Sequence, residues 1–268
     1  MSLTERERKI YADIIRWEEN VLKAKARTIK PEEQLESRFF ESIDTMLFFI
    51  QALAQSPKWQ QKAIEKISNE ARMFDQSVQT LHDIAQLPIE QIMALAEQQA
   101  KKELPRSLVH GSLTGTGGLL LLSLDFPLMI IQQMRTIQFI ALSHGYTISH
   151  PTETLISLKV LHAALTPTYH RYFVWKATER EIEKLSHPYL YETDDSIVDR
   201  NWLESQWRHV LKVIVIRMLR KKTTTGLPLI RMVLGATVNY TSLKNVAIIA
   251  QKFYTKRLLQ ERLQNRKE

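Results

Sequence analysis

The chain of 268 residues contains no cysteine and only seven glycines, all of them between Gly111 and Gly235. The first absence excludes disulfides, thiolate metal sites and cysteine nucleophiles, and it is compatible with a reducing compartment. The second means that the first 110 residues fold without the most permissive backbone unit, before four glycines crowd into Gly111-Ser-Leu-Thr-Gly115-Thr-Gly117-Gly118. Glycine costs a helix interior roughly 1 kcal/mol relative to alanine, so such a cluster points to close backbone approach.

Charge is missing in two places. From Ser107 to Thr152 the only formal charges are Asp125 and Arg135, whereas from Ser205 to Gln260 there are eleven Lys or Arg and no Asp or Glu. One segment therefore supplies the whole net charge of +8, and the remainder is slightly acidic. The N-terminus, Met1-Ser-Leu-Thr-Glu-Arg-Glu-Arg-Lys, carries charge where a secretory leader needs an apolar run, so an intracellular protein is expected. With 44% apolar and 25% charged residues the chain has the composition of a folded globular protein.

The residues that are present read as helix. Thr4 is placed to cap a first helix with an apolar stripe of Ile10, Ile14, Trp17 and Val21, and Pro31 opens a second through Leu35, Phe39, Ile43, Leu47 and Ile50. Pro57, Pro88 and Pro105 punctuate the chain beyond Ile50, giving helices over Ile64 to Leu87 and Ile89 to Glu103. Asp125 is expected to cap a helix with Pro127 in its first turn, ending with Gly145 as the residue after the C-cap. Pro151 and Glu153 begin another that stops before Pro167, and polar residues 185–199 read as an exposed loop. A basic helix from Trp202 to Lys222 leads through Gly226-Leu-Pro228 into a last long helix. No regular strand spacing occurs. The expected fold is all-α, a multi-helix bundle with a central Gly-rich apolar helical hairpin. Residues 1–76 form N-terminal amphipathic helices and 77–268 a second helical domain, or the two are one continuous domain.

The apolar stretch between Arg106 and Arg135 does not read as a spanning helix. A central Asp costs about 2.5 to 3.5 kcal/mol on insertion scales while each Leu contributes only about 0.3 to 0.6, so Asp125 nearly cancels the leucines around it. Two short arms broken at Asp125-Phe-Pro127 suggest a hairpin that packs in the bundle or dips into lipid. Further along the chain, Arg208, Lys212, Arg217, Arg220, Lys221, Lys222 and Arg231 form an acid-free basic set suited to an anionic membrane surface, a solvated face or, as a weaker alternative, nucleic acid.

Catalytic motifs are sparse. Gly115-Thr-Gly117-Gly118 lacks the Lys-Ser/Thr of a P-loop, because Leu119 and Leu120 follow it, and Leu120 fills the third glycine position of a dinucleotide fingerprint. His110, Ser112 and Asp125 supply the residue types of an acyl-transfer triad without a nucleophile elbow, which keeps a lipid-directed hydrolase as the alternative reading. The spacings of His144, His150, His162 and His170 match no metal signature, and no cofactor or metal is expected. Asn239, one turn after Gly235 among apolar neighbours, is expected to be buried and to hydrogen-bond the glycine segment.

Taken together, Gly111 to Gly118, Asp125-Phe-Pro127, Ala141-Leu-Ser-His-Gly145-Tyr146, Glu153 after Pro151, and Gly226-Leu-Pro228 followed by Gly235-Ala-Thr-Val-Asn239-Tyr240 and the helix Ala247 to Leu259 resemble the EcsC family. The similarity covers roughly Ser77 to Leu259. The resemblance implies an α-helical, membrane-associated protein at the cytoplasmic, inner face of the cell membrane, accessory to an ABC transporter. It supplies no catalytic residue.

Overall fold

The computed structural model describes the backbone of residues 3–23, 25, 40–113, 119–185, 205–214 and 228–264, and the side chains of these apart from 40–46, 105–113, 119–126, 184–185 and 228–238. Within these residues the chain is helical, with no strand, as the periodicity indicates. The elements are α1 (Glu5–Trp17), continuing as a π-helical stretch (Glu18–Lys23), α2 (Phe40–Ala54), α3 (Pro57–Ala71), α4 (Leu81–Gln86), α5 (Ile89–Leu113), α6 (Leu119–Ser143), α7 (Pro151–Leu165), α8 (Thr168–Leu185), α9 (205–214) and α10 (Pro228–Gln264).

Thr4 caps α1 as its sequence suggests, in a capping box where its hydroxyl accepts from the Glu7 N–H and the Glu7 carboxylate accepts from the Thr4 N–H. The apolar stripe then departs from the expected register. The π-helical stretch shifts the face by about one residue, so Val21 is exposed while Leu22 is buried, and Glu18 turns inward with 2% of its surface exposed.

The single helix expected over Ile64 to Leu87 is two. The Asp75 carboxylate accepts from the N–H and hydroxyl of Ser77, forming a local turn that competes with helix, and Thr80 and Asp83 start α4 with a second capping box. Pro105 and Pro127 also differ from expectation, because each lies inside a helix. An interior proline costs about 3 kcal/mol, and the long helices packed on either side offset it. Asp125 is correspondingly not an N-cap: α6 begins at Leu119 and runs through it. The break at Asp125-Phe-Pro127 is thus absent, and Gly115, Gly117 and Gly118 lie in 114–118, outside the described residues, as do Pro31 to Phe39 and the expected loop at 185–199 beyond Leu185.

Helix α10 packs along α5, α6, α7 and α1, while α2 and α3 pack on α6 and α8 packs on α7. Residues on both sides of position 76 share one core, including Ile50, Ile67, Ile92, Leu95, Ile130, Met134, Ile137, Trp175 and Tyr254. Aromatic edges connect the far parts of the chain: Trp17 meets Trp175, Trp175 meets Phe253, and Phe253 meets Tyr254, with ring centroids 5.7, 5.8 and 5.2 Å apart. Among the described residues no helix is long and apolar enough to cross a membrane.

Candidate functional site

The end of α6, the start of α7 and the last third of α10 meet around a polar cluster, and glycine makes the approach possible. Gly145 closes α6 with φ +87°, its N–H bonded to the Leu142 carbonyl and the Tyr146 N–H to the Ala141 carbonyl. This is the paired-bond helix ending for which a left-handed residue is needed. A Cβ at this position would lie 2.6 Å from the Ala85 Cβ and 2.8 Å from the Leu81 carbonyl oxygen, so glycine also admits α4.

The turn delivers Tyr146 to a ring of five side chains, four hydrogen bonds in series whose two tyrosine ends are joined by an aromatic contact. Tyr254 donates its hydroxyl proton to Glu153 Oε1 at 2.7 Å, and Arg257 donates to Glu153 Oε2 at 2.7 Å. Arg257 Nε donates to Glu261 Oε1 at 3.0 Å, while the Tyr146 hydroxyl donates to Glu261 Oε2 at 3.0 Å. The Arg257 guanidinium lies 4.0 Å from the Tyr146 ring centre, and the two tyrosine rings are 5.4 Å apart. Since Tyr254 has one hydroxyl proton and gives it to Glu153, Ser157 is the donor in the 3.1 Å Ser157–Tyr254 contact. Burial pushes the Tyr254 and Tyr146 hydroxyls well above the usual tyrosine range, with the nearby carboxylates adding to it. Burial works against the Arg257 charge, but Glu153, Tyr146 and Glu261 hold it firmly protonated.

His144 sits beside this ring with no exposed surface. Its Nδ1 lies 2.7 Å from the Ile140 carbonyl, which only accepts, so Nδ1 carries the proton and Nε2 accepts from the Thr255 hydroxyl at 3.0 Å. Burial chiefly, and secondarily the Arg262 charge, lower its pKa to about 4, so the imidazole is neutral.

Two further ion-pair groups use the next positions on α10. Lys256 donates to Glu18 and, at 2.6 Å, to Glu179, while Lys176 donates to the same two carboxylates at 2.6 and 2.8 Å. Burial opposes the Glu18 charge, but the two ammonium groups outweigh it and hold the carboxyl below its usual range. Arg262 bonds Glu7 through one nitrogen and the Ala85 and Leu87 carbonyls, just before α5, through another.

Four members of this assembly belong to motifs legible in the sequence: His144, Gly145, Tyr146 and Glu153. Tyr254, Arg257, Glu261, Glu18 and Lys256 are revealed by the fold. A signal was available, since Tyr254, Arg257 and Glu261 recur at helical spacing on one side of a helix otherwise rich in apolar residues. The acid-free segment is also not one basic surface, because Lys256 and Arg257 near its end are matched by acids from α7, α8 and the π-helical stretch after α1.

The remaining sequence candidates lie elsewhere. His110, Gly111 and Ser112 are in the last turn of α5, Asp125 and Pro127 are in the first half of α6, and Gly235 and Arg231 are near the start of α10. The side chains of His110, Ser112, Asp125 and Arg231 are outside the described set, so their mutual geometry is not part of the observed site. Asn239 is half-buried, and the glycine segment expected to bond it falls largely outside the described residues. Arg208 and Lys212 lie on α9, on which Trp207, Val210, Leu211 and Ile214 are buried. Arg217, Arg220, Lys221 and Lys222 belong to 215–227, also outside. Among the described residues no three His, Asp or Glu side chains converge as metal ligands.

The fold and this assembly define an all-α protein whose C-terminal helix is locked to its first helix and to α7 and α8 by buried ionic groups. A model of the EcsC protein family matches residues 3–259, and the chain belongs to that family. It is similar to the uncharacterized protein YdbA of Bacillus subtilis (strain 168), with 25% identity over 197 residues, covering 72% of this chain and 69% of that protein. No solved structure matches it.

Proposed function

We propose that this EcsC-family protein is a non-catalytic, membrane-associated accessory or regulatory protein of an ABC transporter system, working at the cytoplasmic face of the membrane. The carrying observation is the commitment of the polar groups in the assembled site: Glu153, Tyr254, Arg257, Glu261 and Tyr146 each bond another member of the ring. Such a cluster fixes helix register and commits all four carboxylate oxygens of Glu153 and Glu261 to hydrogen bonds. The basic run from Arg208 to Arg231 supports attraction to anionic lipid, where each Lys or Arg near the surface contributes about 1 kcal/mol. The transporter partner is carried by the family resemblance.

Cell fractionation with identification of co-purifying proteins tests this reading. The expected result is recovery with the membrane fraction together with ABC transporter subunits. Absence of both transporter subunits and binding to anionic or neutral vesicles overturns it. So does loss of the cellular phenotype in His110→Ala, Ser112→Ala and Asp125→Ala variants that keep their fold and partners, because that pattern belongs to a hydrolase.

A further inference from the structure

Helix α1 and its π-helical extension lie on the rest of the molecule as an added layer. Of residues 3–23 only Leu3, Glu7, Ile14, Glu18 and Leu22 are buried, and two of these five are carboxylates. In α7, a helix of the core, eleven of fifteen residues are buried and Glu153 is the one charged residue among them. A segment with few buried apolar side chains opens at lower free energy than the core it covers.

What holds the segment in place is chemically specific. Glu7 accepts from Arg262, and Glu18 accepts from both Lys176 and Lys256. Tyr11 accepts from Gln260 at 3.4 Å, and the Lys252 ammonium lies 4.9 Å from the Trp17 ring centre. From Glu7 to Glu18 the partners on α10 run back from Arg262 and Gln260 to Lys256 and Lys252, so α1 is antiparallel to α10. Under Trp17 lies Trp175 of α8, which meets Phe253 of α10, and both of these rings are buried. The seam between α8 and α10 therefore has an apolar floor with cations along it.

Without the first helix this seam is basic. Lys176 and Lys256 keep Glu179 as a shared carboxylate, and Arg262 keeps the backbone carbonyls of Ala85 and Leu87. Among the described residues these three cations are then left with one acid. A helix with neutral residues in place of Glu7 and Glu18 would bury Lys256 and Arg262 without their carboxylate partners, which is strongly unfavourable. The seam thus selects a helix with two carboxylates eleven residues, or about three turns, apart. The π-helical stretch, a feature that recurs at functional sites, is what turns Glu18 inward to meet it.

We propose that residues 3–23 are a displaceable strap, and that the seam of α8 and α10 beneath them is a docking site for an acidic amphipathic helix of a partner protein. The docked helix takes the strap's place, antiparallel to α10. One of its carboxylates bonds Arg262, a second bonds Lys176 and Lys256, and an apolar side chain beside the second rests on Trp175. The strap is a built-in competitor that keeps the site closed until such a helix arrives. Neither a membrane nor a transporter is required for this exchange.

The strap's own sequence supplies the probe. A fluorescently labelled synthetic peptide of residues 3–23 is titrated into the full-length protein, into its Glu7→Gln/Glu18→Gln variant, and into that variant with Lys256→Met added. Apparent affinity falls with the fraction of molecules whose site is open, so the peptide is expected to bind the Gln pair about tenfold or more tightly than the unaltered protein. Adding Lys256→Met, or changing both glutamates of the peptide to Gln, is expected to weaken that binding by about tenfold or more. Absence of saturable binding to the Gln pair overturns the docking site, as does binding that either of these changes leaves as it was. Equal affinity for the unaltered protein and the Gln pair overturns the strap's role as competitor. Native-state amide hydrogen exchange of the unaltered protein decides the matter if the variants do not fold. The amides of 9–23 are expected to exchange as one unit, with protection about tenfold or more below that of α7. Exchange of 9–23 at the rate of α7 overturns the proposal, because the strap then opens only with the whole fold.

Discussion

Lys256 on the last helix donates to the Glu18 carboxylate at 2.5 Å across 238 positions of sequence, and both side chains are buried, with 7% and 2% exposed. The π-helical stretch makes this possible, because it turns Glu18 inward at the point where a regular helix would have continued the Trp17 stripe to Val21. Removing one partner of a buried pair leaves an uncompensated charge and typically costs about 3 to 5 kcal/mol. Glu18→Ala is expected to destabilise within that range, since it takes a carboxylate from both Lys256 and Lys176. Glu18→Leu combined with Lys256→Met should cost less than the sum of the two single changes. Urea unfolding of the four proteins in that cycle checks the coupling, and additive losses would show that the pair is not coupled.

Gly145 is held by two requirements at once, a left-handed backbone and the closeness of α4. Alanine in the left-handed region costs about 1 to 2 kcal/mol, and the overlap with Ala85 and the Leu81 carbonyl adds a packing penalty of similar size. Gly145→Ala is therefore expected to lower stability by about 2 to 4 kcal/mol. Gly145→Asn, which tolerates the backbone angle but not the contact, should remain destabilised. A thermal midpoint for Gly145→Asn equal to that of the unaltered protein would remove the close-approach argument.

The features legible in the sequence were those with local causes. Thr4 and Glu7 cap α1 through contacts three residues apart, and Gly145 ends α6 through a turn whose backbone requirement is local. The helix break at Ala71 was not legible, because the Asp75–Ser77 turn and the Thr80–Asp83 box compete with an otherwise helical composition. Asp125 and Pro127 look like a helix start by residue type, yet α6 runs through both because packing along its length outweighs one lost hydrogen bond. Part of the polar ring was visible as a motif, in Tyr146 and Glu153. The rest depends on α10 being folded back beside α7, a contact more than 100 residues away that no local pattern encodes.

Tyr254 supplies the proton that satisfies Glu153 Oε1 and accepts the one from Ser157. Tyr254→Phe keeps the ring against Phe253 but leaves both groups without that partner in a buried setting, for an expected loss of about 1 to 3 kcal/mol. Ser157→Ala removes only the neutral donor and should cost less. Chemical denaturation of both variants gives the order, and an equal or greater loss for Ser157→Ala would contradict the hydrogen-bond assignment.

His144 gives the fold a pH dependence whose sign is set by its tautomer. With Nδ1 donating to Ile140 and Nε2 accepting from Thr255, protonation displaces the Thr255 bond in a site without solvent, and the native pKa falls to about 4. The unfolded chain takes up this proton first, near the ordinary histidine value of about 6.5. The stability contributed by neutral His144 is therefore fully present above that value and is lost as the pH falls from it toward about 4. At pH 5 the loss from this group is about 2 kcal/mol relative to neutral pH. Glu7 and Glu18, whose carboxyls are held below their usual range, add their own loss at lower pH, so the interval between about 6.5 and 5 isolates the imidazole. His144→Asn retains a side-chain donor toward Ile140 but does not titrate. Its urea midpoint should start lower than that of the unaltered protein and fall less across this interval, the histidines common to both cancelling in the comparison. Parallel pH profiles for the two proteins would show that the buried imidazole does not drive the change.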